Sequence, residues 1–159
     1  MGSGGGQEGI LSISRDDFAA IAGEIVRQGK SFSLRAHGRS MAPFIVDGDT
    51  IVVSPLERPA RIGDVVLLKE SDGRLIVHRI VGRRKGMILT RGDACAAVDS
   101  PADHVGIVGK VTAVSGRGYS FHLRKSFGYL ISRKNDFPFS LLWWGPLRKA
   151  AKMIAPLLG

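Results

Sequence analysis

Short apolar runs bounded by turn residues dominate the chain between residues 31 and 123. Most of them are rich in Val and Ile or alternate apolar with polar positions, which is the pattern of half-buried strands. The predicted strands are 31–37, 50–54, 65–69, 74–81, 87–90, 105–114 and 118–123. Asp72-Gly73 is the strongest turn signal between them, since Asp-Gly favours tight hairpins. Short strands at this spacing predict a mainly β fold, either a barrel or a folded sheet.

One helix precedes the predicted strands. Ser14 and Asp17 resemble a capping box at its start, and Gly29 is a stop signal. Between them, apolar residues recur at helical spacing, namely Phe18, Ile21, Ile25 and Val26. We expect this apolar face to be buried over an open end of the β structure. The functional alternative is a helix that docks a partner or gates a substrate.

Composition adds limits to this picture. A chain of 159 residues is long enough for one domain with a real core. Cys95 is the single cysteine, which excludes an intramolecular disulfide and a cysteine-based zinc site. The four histidines and the scattered acids lack a metal-ligand spacing, so we expect neither a metal nor another cofactor.

The two ends of the chain differ in character from its middle. Residues 1–13 begin Gly-rich and are predicted to be disordered, and residues 14–30 form the helical segment. The predicted core spans 31–116, and residues 117–159 are an extension with eight Lys/Arg and one Asp. The sequence shows neither a signal peptide nor an apolar window of the ~20 residues that span a bilayer. We therefore expect a cytoplasmic protein or one peripheral to a membrane.

The extension combines aromatic, aliphatic and basic residues. Residues 137–144 are strongly apolar, and 146–158 read as a basic helix. Basic residues beside Trp and Leu are typical of helices at an anionic membrane surface, so we predict membrane contact through residues 137–158. The alternative is a segment folded over the β domain. The same positive charge could attract nucleic acid, but the aromatics cluster in one run and do not interleave with Lys/Arg, so we do not expect nucleic-acid binding.

Ser40 stands at the mouth of a turn. Gly38 permits positive φ, and Pro43 prevents a regular strand or helix from continuing. Gly48-Asp49 is a second turn that launches the apolar run 50–53. A serine held in this way can act as a nucleophile if a base reaches it, although a structural loop is the commoner meaning of such a pattern.

Candidate partners for Ser40 follow in the chain. His78 lies within a predicted strand, and Asp93 and Asp99 come after the next one. His37 is a local alternative base, three residues before the serine. A histidine base needs an acid that fixes its tautomer, and either Asp99 or Asp93 could provide it. Asp93 could instead close a turn, and Asp49 and Asp64 are predicted to be turn and strand-initiation residues.

Several blocks resemble the type I signal peptidases, over roughly residues 34–115. They are Ser-Met-Ala-Pro at residues 40–43, Gly-Asp-Val-Val at 63–66, Val-His-Arg at 77–79, Thr-Arg-Gly-Asp at 90–93 and Val-Asp-Ser at 98–100. Val-His-Arg is similar to the eukaryotic and archaeal branch, in which histidine replaces the bacterial lysine. The resemblance implies a serine endopeptidase with Ser40 as nucleophile, His78 as base and Asp99 as the orienting acid, with Asp93 as the alternative.

The resemblance also implies a substrate site. It places the oxyanion on backbone amides of Ser40 and Met41, puts Met41 and Pro43 near the substrate, and implies cleavage of exported precursors after small residues. Two departures stand out. Relatives carry a membrane anchor before the serine box, and many have a serine where this chain has Gly38.

Two other functions remain open. One is a self-cleaving repressor-type peptidase of the same fold, although that branch normally uses a Ser-Lys pair and a preceding DNA-binding domain. We expect too little chain before residue 31 for such a domain. The other is a non-catalytic module that binds peptides with the same fold.

Overall fold

The computed structural model describes residues 14–99 and 106–123. The predicted disordered segment 1–13 and the predicted membrane-binding segment 137–158 lie outside the described residues. The predicted helical C-terminal tail also lies outside the described residues.

Helix α1 spans Arg15–Arg27. The hydroxyl of its N-cap, Ser14, accepts a hydrogen bond from the Asp17 amide at 3.1 Å, and Gly29 follows the helix with φ of 76°. The N-terminal cap and the glycine stop are therefore confirmed. α1 packs on the β structure as expected.

The face that α1 buries differs from the predicted one. Ala19 and Ala22 are the buried residues, and Val26 packs against the core beside them. Phe18 and Ile21 are 41% and 48% exposed. The small alanines let the helix approach the sheet closely, and this turns the larger apolar stripe outward. The prediction that Phe18 and Ile21 are buried is wrong.

Seven strands form one antiparallel sheet, which confirms the mainly β fold. They are β1 (Phe32–Arg35), β2 (Thr50–Ser54), β3 (Val65–Lys69), β4 (Leu75–Arg84), β5 (Met87–Arg91), β6 (Ile107–Gly116) and β7 (Tyr119–His122). The order is β1-β2-β6-β3-β4-β5, and β7 also pairs with β6. β7 thus carries the sheet past the core boundary predicted at residue 116.

The long strand β6 lies in the middle of the sheet and joins β1 and β2 to β3, β4 and β5. Its first residues pair with β3 and its last with β7, while β2 pairs with it on the other side. A core of interlocking aliphatic side chains lies around these strands, with its fully buried members including Ile51, Val53, Val111 and Val114. Because this core is built from several strands, it provides a rigid support for the loops that carry polar residues.

Asp49 and Asp64 each stand directly before a strand, as predicted. Asp49 accepts a hydrogen bond from the Val46 amide at 2.9 Å, and Asp64 accepts one from the Arg61 amide at 2.9 Å. Both carboxylates are buried. Each therefore closes the turn that feeds its strand.

In the described part of the chain, no helix has the length and apolar character required to cross a membrane.

Candidate functional site

A cavity of about 600 Å³ opens between three parts of the fold. The start of α1 forms one side, the chain from Leu34 to Ile45 forms another, and the first residues of β4 form the third. Ser40 and His78 both line it. The fold thus brings together two residues that are 38 positions apart in sequence.

Ser40 is held through its backbone. Its carbonyl accepts a hydrogen bond from the Ala94 amide at 2.8 Å, and the residues after it, Met41 to Ile45, are buried. Gly92 lies so close that an added Cβ would stand 2.6 Å from the Ser40 carbonyl oxygen. The turn after β5, which contains Gly92 and Ala94, therefore packs against the backbone of Ser40 and positions it.

The backbone amides of Ser40 and Met41 are the donors predicted for an oxyanion hole. Among the described residues, neither the amide of Ser40 nor that of Met41 donates a hydrogen bond. The amide of Gly38 is engaged, since it donates to Asp47 at 2.9 Å. The amides of Ser40 and Met41 thus differ from that of Gly38, because no hydrogen bond occupies them within the described residues.

His78 contacts Asp99 through its ring nitrogen Nδ1. Nδ1 of His78 lies 2.6 Å from Oδ2 of Asp99, and the two side chains are 12% and 27% exposed. Donation from Nδ1 leaves Nε2 as the acceptor. No hydrogen bond joins His78 to Ser40 within residues 14–99 and 106–123. Such bonds often form only when substrate is bound.

Thr90 holds Asp99 at two points. Its hydroxyl donates to Oδ2 at 2.7 Å, and its carbonyl accepts from the Asp99 amide at 2.8 Å. Thr90 is buried. The sequence did not single out Thr90, because its closeness to Asp99 depends on how the chain turns back after β5.

Asp93 does not contact His78. It accepts two hydrogen bonds from Arg79, at 2.7 and 2.6 Å, and both side chains are buried. Arg79 also donates to the Gly63 carbonyl at 2.9 Å. Neighbouring residues in a strand point to opposite faces. Arg79, and Asp93 with it, therefore lies on the face of β4 opposite to His78. The structure thus places Asp99 against His78, and Asp93, the alternative acid, against Arg79.

His37 also lines the cavity but is much less enclosed. Its side chain is 78% exposed, and Nδ1 lies 3.6 Å from Oδ1 of Asp47. A hydrogen bond from the Gly38 amide lowers the pKa of Asp47, which keeps that carboxylate charged beside the imidazole. His37 therefore has an acid partner of its own, in an open setting.

The two predicted substrate contacts lie in different places. Met41 is buried and lines the cavity. Pro43 is fully buried and is not among the residues that line it. The ring of Pro43 is therefore not placed to contact a substrate, and its position indicates a role in shaping the turn beneath Ser40.

No cluster of three or more His, Cys, Asp or Glu side chains suited to a metal ion occurs in the two described stretches. The described geometry offers a hydroxyl and an imidazole that line one cavity, and a carboxylate bonded to the imidazole. These are the parts that acyl transfer requires.

Comparison with known proteins gives one family. A search of curated proteins finds no match to this chain. The model of the Peptidase S24-like family matches residues 2–112, which is well over half of the chain. That family covers both repressor-type and signal-peptidase-like peptidases, so the match gives a serine-peptidase lineage without deciding between the branches. On this match, the chain belongs to the Peptidase S24-like family.

Proposed function

We propose that this protein is a serine endopeptidase of signal-peptidase type. The observation that carries the proposal is the placement of Ser40 and His78 on one cavity, with Asp99 bonded to the imidazole at 2.6 Å. Ser40 is the nucleophile, His78 the general base and Asp99 the acid that holds the tautomer. Ser-Met-Ala-Pro at residues 40–43 supports the choice of branch.

The reaction has two halves. Oγ of Ser40 bonds to the scissile carbonyl carbon while Nε2 of His78 takes the hydroxyl proton. The carbon–nitrogen bond then breaks, and the proton passes to the leaving amine. Water next adds to the acyl-enzyme, giving a proton to His78, and the ester bond to Ser40 breaks with return of that proton. The amides of Ser40 and Met41 stabilise the oxyanion in both halves.

The substrate is an extended peptide. β1 pairs only with β2, and residues 75–78 of β4 pair only with β3 in the described part of the chain, since β5 joins β4 from Arg79 onward. Both edges line the cavity. Unpaired edges bind extended peptides through backbone hydrogen bonds, with side chains alternating into pockets. Small residues before the cleaved bond and an exported precursor follow from the resemblance to signal peptidases.

Labelling with a broad acylating serine probe tests the proposal, with intact mass and peptide mapping as the readout. We expect one adduct, on Ser40, and its loss in Ser40→Ala and in His78→Ala. Ser33→Ala is the matched control, because Ser33 is an exposed serine of β1. Cleavage of peptides with small residues at the scissile bond should follow the same pattern.

Three results would count against the proposal in different ways. An adduct that persists in Ser40→Ala would remove Ser40 as nucleophile. Peptide binding without any adduct would indicate a non-catalytic module. Cleavage of the chain itself, with no turnover of added peptides, would indicate the repressor-type activity.

A further inference from the structure

The ionisable residues that line the cavity are all basic. Its floor is apolar, with Leu34, Met41 and Leu67 among the lining residues. Every ionisable side chain on its described wall is an arginine or a histidine, and no carboxylate is among them. These basic residues are Arg15, Arg35, Arg74, His37 and His78.

The three arginines differ in how far neighbouring acids balance them. Arg74 forms ion pairs with Asp72 at 2.6 Å and with Glu70 at 2.8 Å. The pKa of Asp72 is lowered mainly by its hydrogen bonds with Arg74 and further by the charge of Arg15. Arg35 is exposed and has no ion pair within the described residues. Arg35 is thus the cation on this wall that is left for a ligand.

Local structure does not account for Arg15 or Arg35. Arg15 is the first residue of α1, where the helix dipole disfavours a positive charge. Arg35 is the exposed last residue of β1, whereas its neighbour Leu34 packs on the core. Arg15 interacts favourably with the carboxylate of Asp72, whereas Arg35 has no ion pair among the described residues, so Arg35 is the charge more available for recognition.

The distance of this basic region from the reacting serine can be read along the chain. Arg74 stands directly before β4 and four residues before His78, whereas Arg35 is the last residue of β1 and stands five residues before Ser40. At about 3.3 Å per extended residue, four residues span roughly 13 Å. A peptide lying beside β4 would pass Arg74 about four residues from the bond at Ser40. Arg35 is joined to Ser40 through a turn, so it lies no farther from the serine than about five extended residues.

We propose that this cavity selects acidic peptides, with an Asp or Glu about four residues from the bond presented to Ser40. Arg35 is the principal contact and Arg15 assists it. The proposal rests on the proposed function for the position of the scissile bond. The binding preference itself requires only the cavity. Like-signed walls attract the opposite charge, and Arg35 has no competing acidic partner among the described residues.

Binding to the full chain carrying Ser40→Ala tests this without turnover. The probes are fluorescent peptides with small residues at the scissile position and a single Asp or Asn moved from six residues before that bond to six residues after it. Fluorescence anisotropy should give about three- to tenfold tighter binding for Asp than for Asn near four residues from the bond. The ratio should fall as salt is raised.

Variants of the same protein assign the effect. Arg35→Gln should bring the Asp-to-Asn ratio close to one, and Arg35→Glu should favour a Lys peptide over the Asp peptide. Arg84→Gln is the matched control, because Arg84 is an exposed arginine of β4 that does not line the cavity. Its ratio should equal that of the parent protein.

The outcomes separate this inference from the proposed function. Equal binding of Asp and Asn peptides at every position overturns the acidic preference, even if Ser40 is acylated. A ratio that survives Arg35→Glu overturns the assignment to Arg35. Failure of Ser40 to react with the acylating probe overturns the peptidase instead, and leaves the binding result to decide the acidic preference by itself.

Discussion

Arg79, the residue directly after His78, forms an ion pair with Asp93 inside the sheet, through two hydrogen bonds of 2.7 and 2.6 Å. Both side chains are buried. The pair holds the turn after β5 in place. The Ala94 amide in that turn donates a hydrogen bond to the Ser40 carbonyl. Asp93, the acid of the Thr-Arg-Gly-Asp block, thus supports the site through the backbone.

Breaking this pair should destabilise the fold. Asp93→Ala leaves the Arg79 guanidinium buried without its partner, which costs about 3–5 kcal/mol in the free energy of unfolding. The double variant Arg79→Met with Asp93→Leu should recover most of that loss, because no charge then remains buried. Urea unfolding measures both. A loss below about 1 kcal/mol in Asp93→Ala would contradict the buried pair.

Thr90 should act as a positioning residue for Asp99. Thr90→Val keeps the shape but removes the hydroxyl that donates to Oδ2, so kcat should fall about tenfold, since hydrogen bonds to charged groups are worth about 1.5–3 kcal/mol. KM should change little. Thr90→Ser should restore the rate. If Thr90→Ser is as slow as Thr90→Val while both unfold like the parent protein, the hydroxyl does not serve Asp99.

Gly92→Ala should impair acylation of Ser40. The added methyl would lie 2.6 Å from the Ser40 carbonyl oxygen and 3.0 Å from its Cβ, so the serine loop has to shift. A displacement of this size can cost about 10²-fold in rate. Probe labelling over time measures it. Gly23→Ala in α1 is the control, because nothing lies within 4 Å of an added Cβ there.

Asp64 should make the fold sensitive to acid. Burial alone would raise the pKa of Asp64, but hydrogen bonds from Lys110, the Arg61 amide and Arg58 outweigh it, so the pKa is lowered on folding. A lowered folded-state pKa gives stability that is present above the unfolded-state value of about 3.9 and is lost as the pH falls through the folded-state pKa.

Asp64→Asn checks this assignment. The variant should lose about 2 kcal/mol at pH 7, because charge-assisted bonds become neutral ones, and should lose less further stability than the parent protein below pH ~4. Urea unfolding between pH 3 and 7 gives both quantities. Parallel pH curves for the two proteins would show that Asp64 is not the group responsible.

Residues 137–158 are predicted to bind anionic lipid. Each basic residue near such a surface contributes roughly 1 kcal/mol, so binding should require anionic vesicles and weaken with salt. Co-sedimentation of the full chain with vesicles of neutral and anionic lipid measures this. Replacing Trp143 and Trp144 by Ala should weaken the association, since both lie in the apolar run. Equal sedimentation with neutral vesicles would contradict an electrostatic contribution.

The sequence by itself determined the class of fold and the composition of the candidate site. Alternating Val and Ile runs, Asp72-Gly73 and the cap at Ser14 are local signals, because each depends on contacts within a few residues. They predicted the helix and the strands. The resemblance to signal peptidases pointed to acyl transfer by Ser40 and His78, with either Asp99 or Asp93 as the acid.

Only the tertiary structure decided which residues meet. Asp99 contacts His78 and Asp93 contacts Arg79 because the pairing of β4 with β5 sets which side chain faces the cavity, and the sequence pattern allowed either acid. Burial of Ala19 and Ala22 in place of Phe18 depends in the same way on how closely α1 approaches the sheet. Contacts between distant residues depend on strand register and packing distance, and neither quantity is written in any short stretch of the chain.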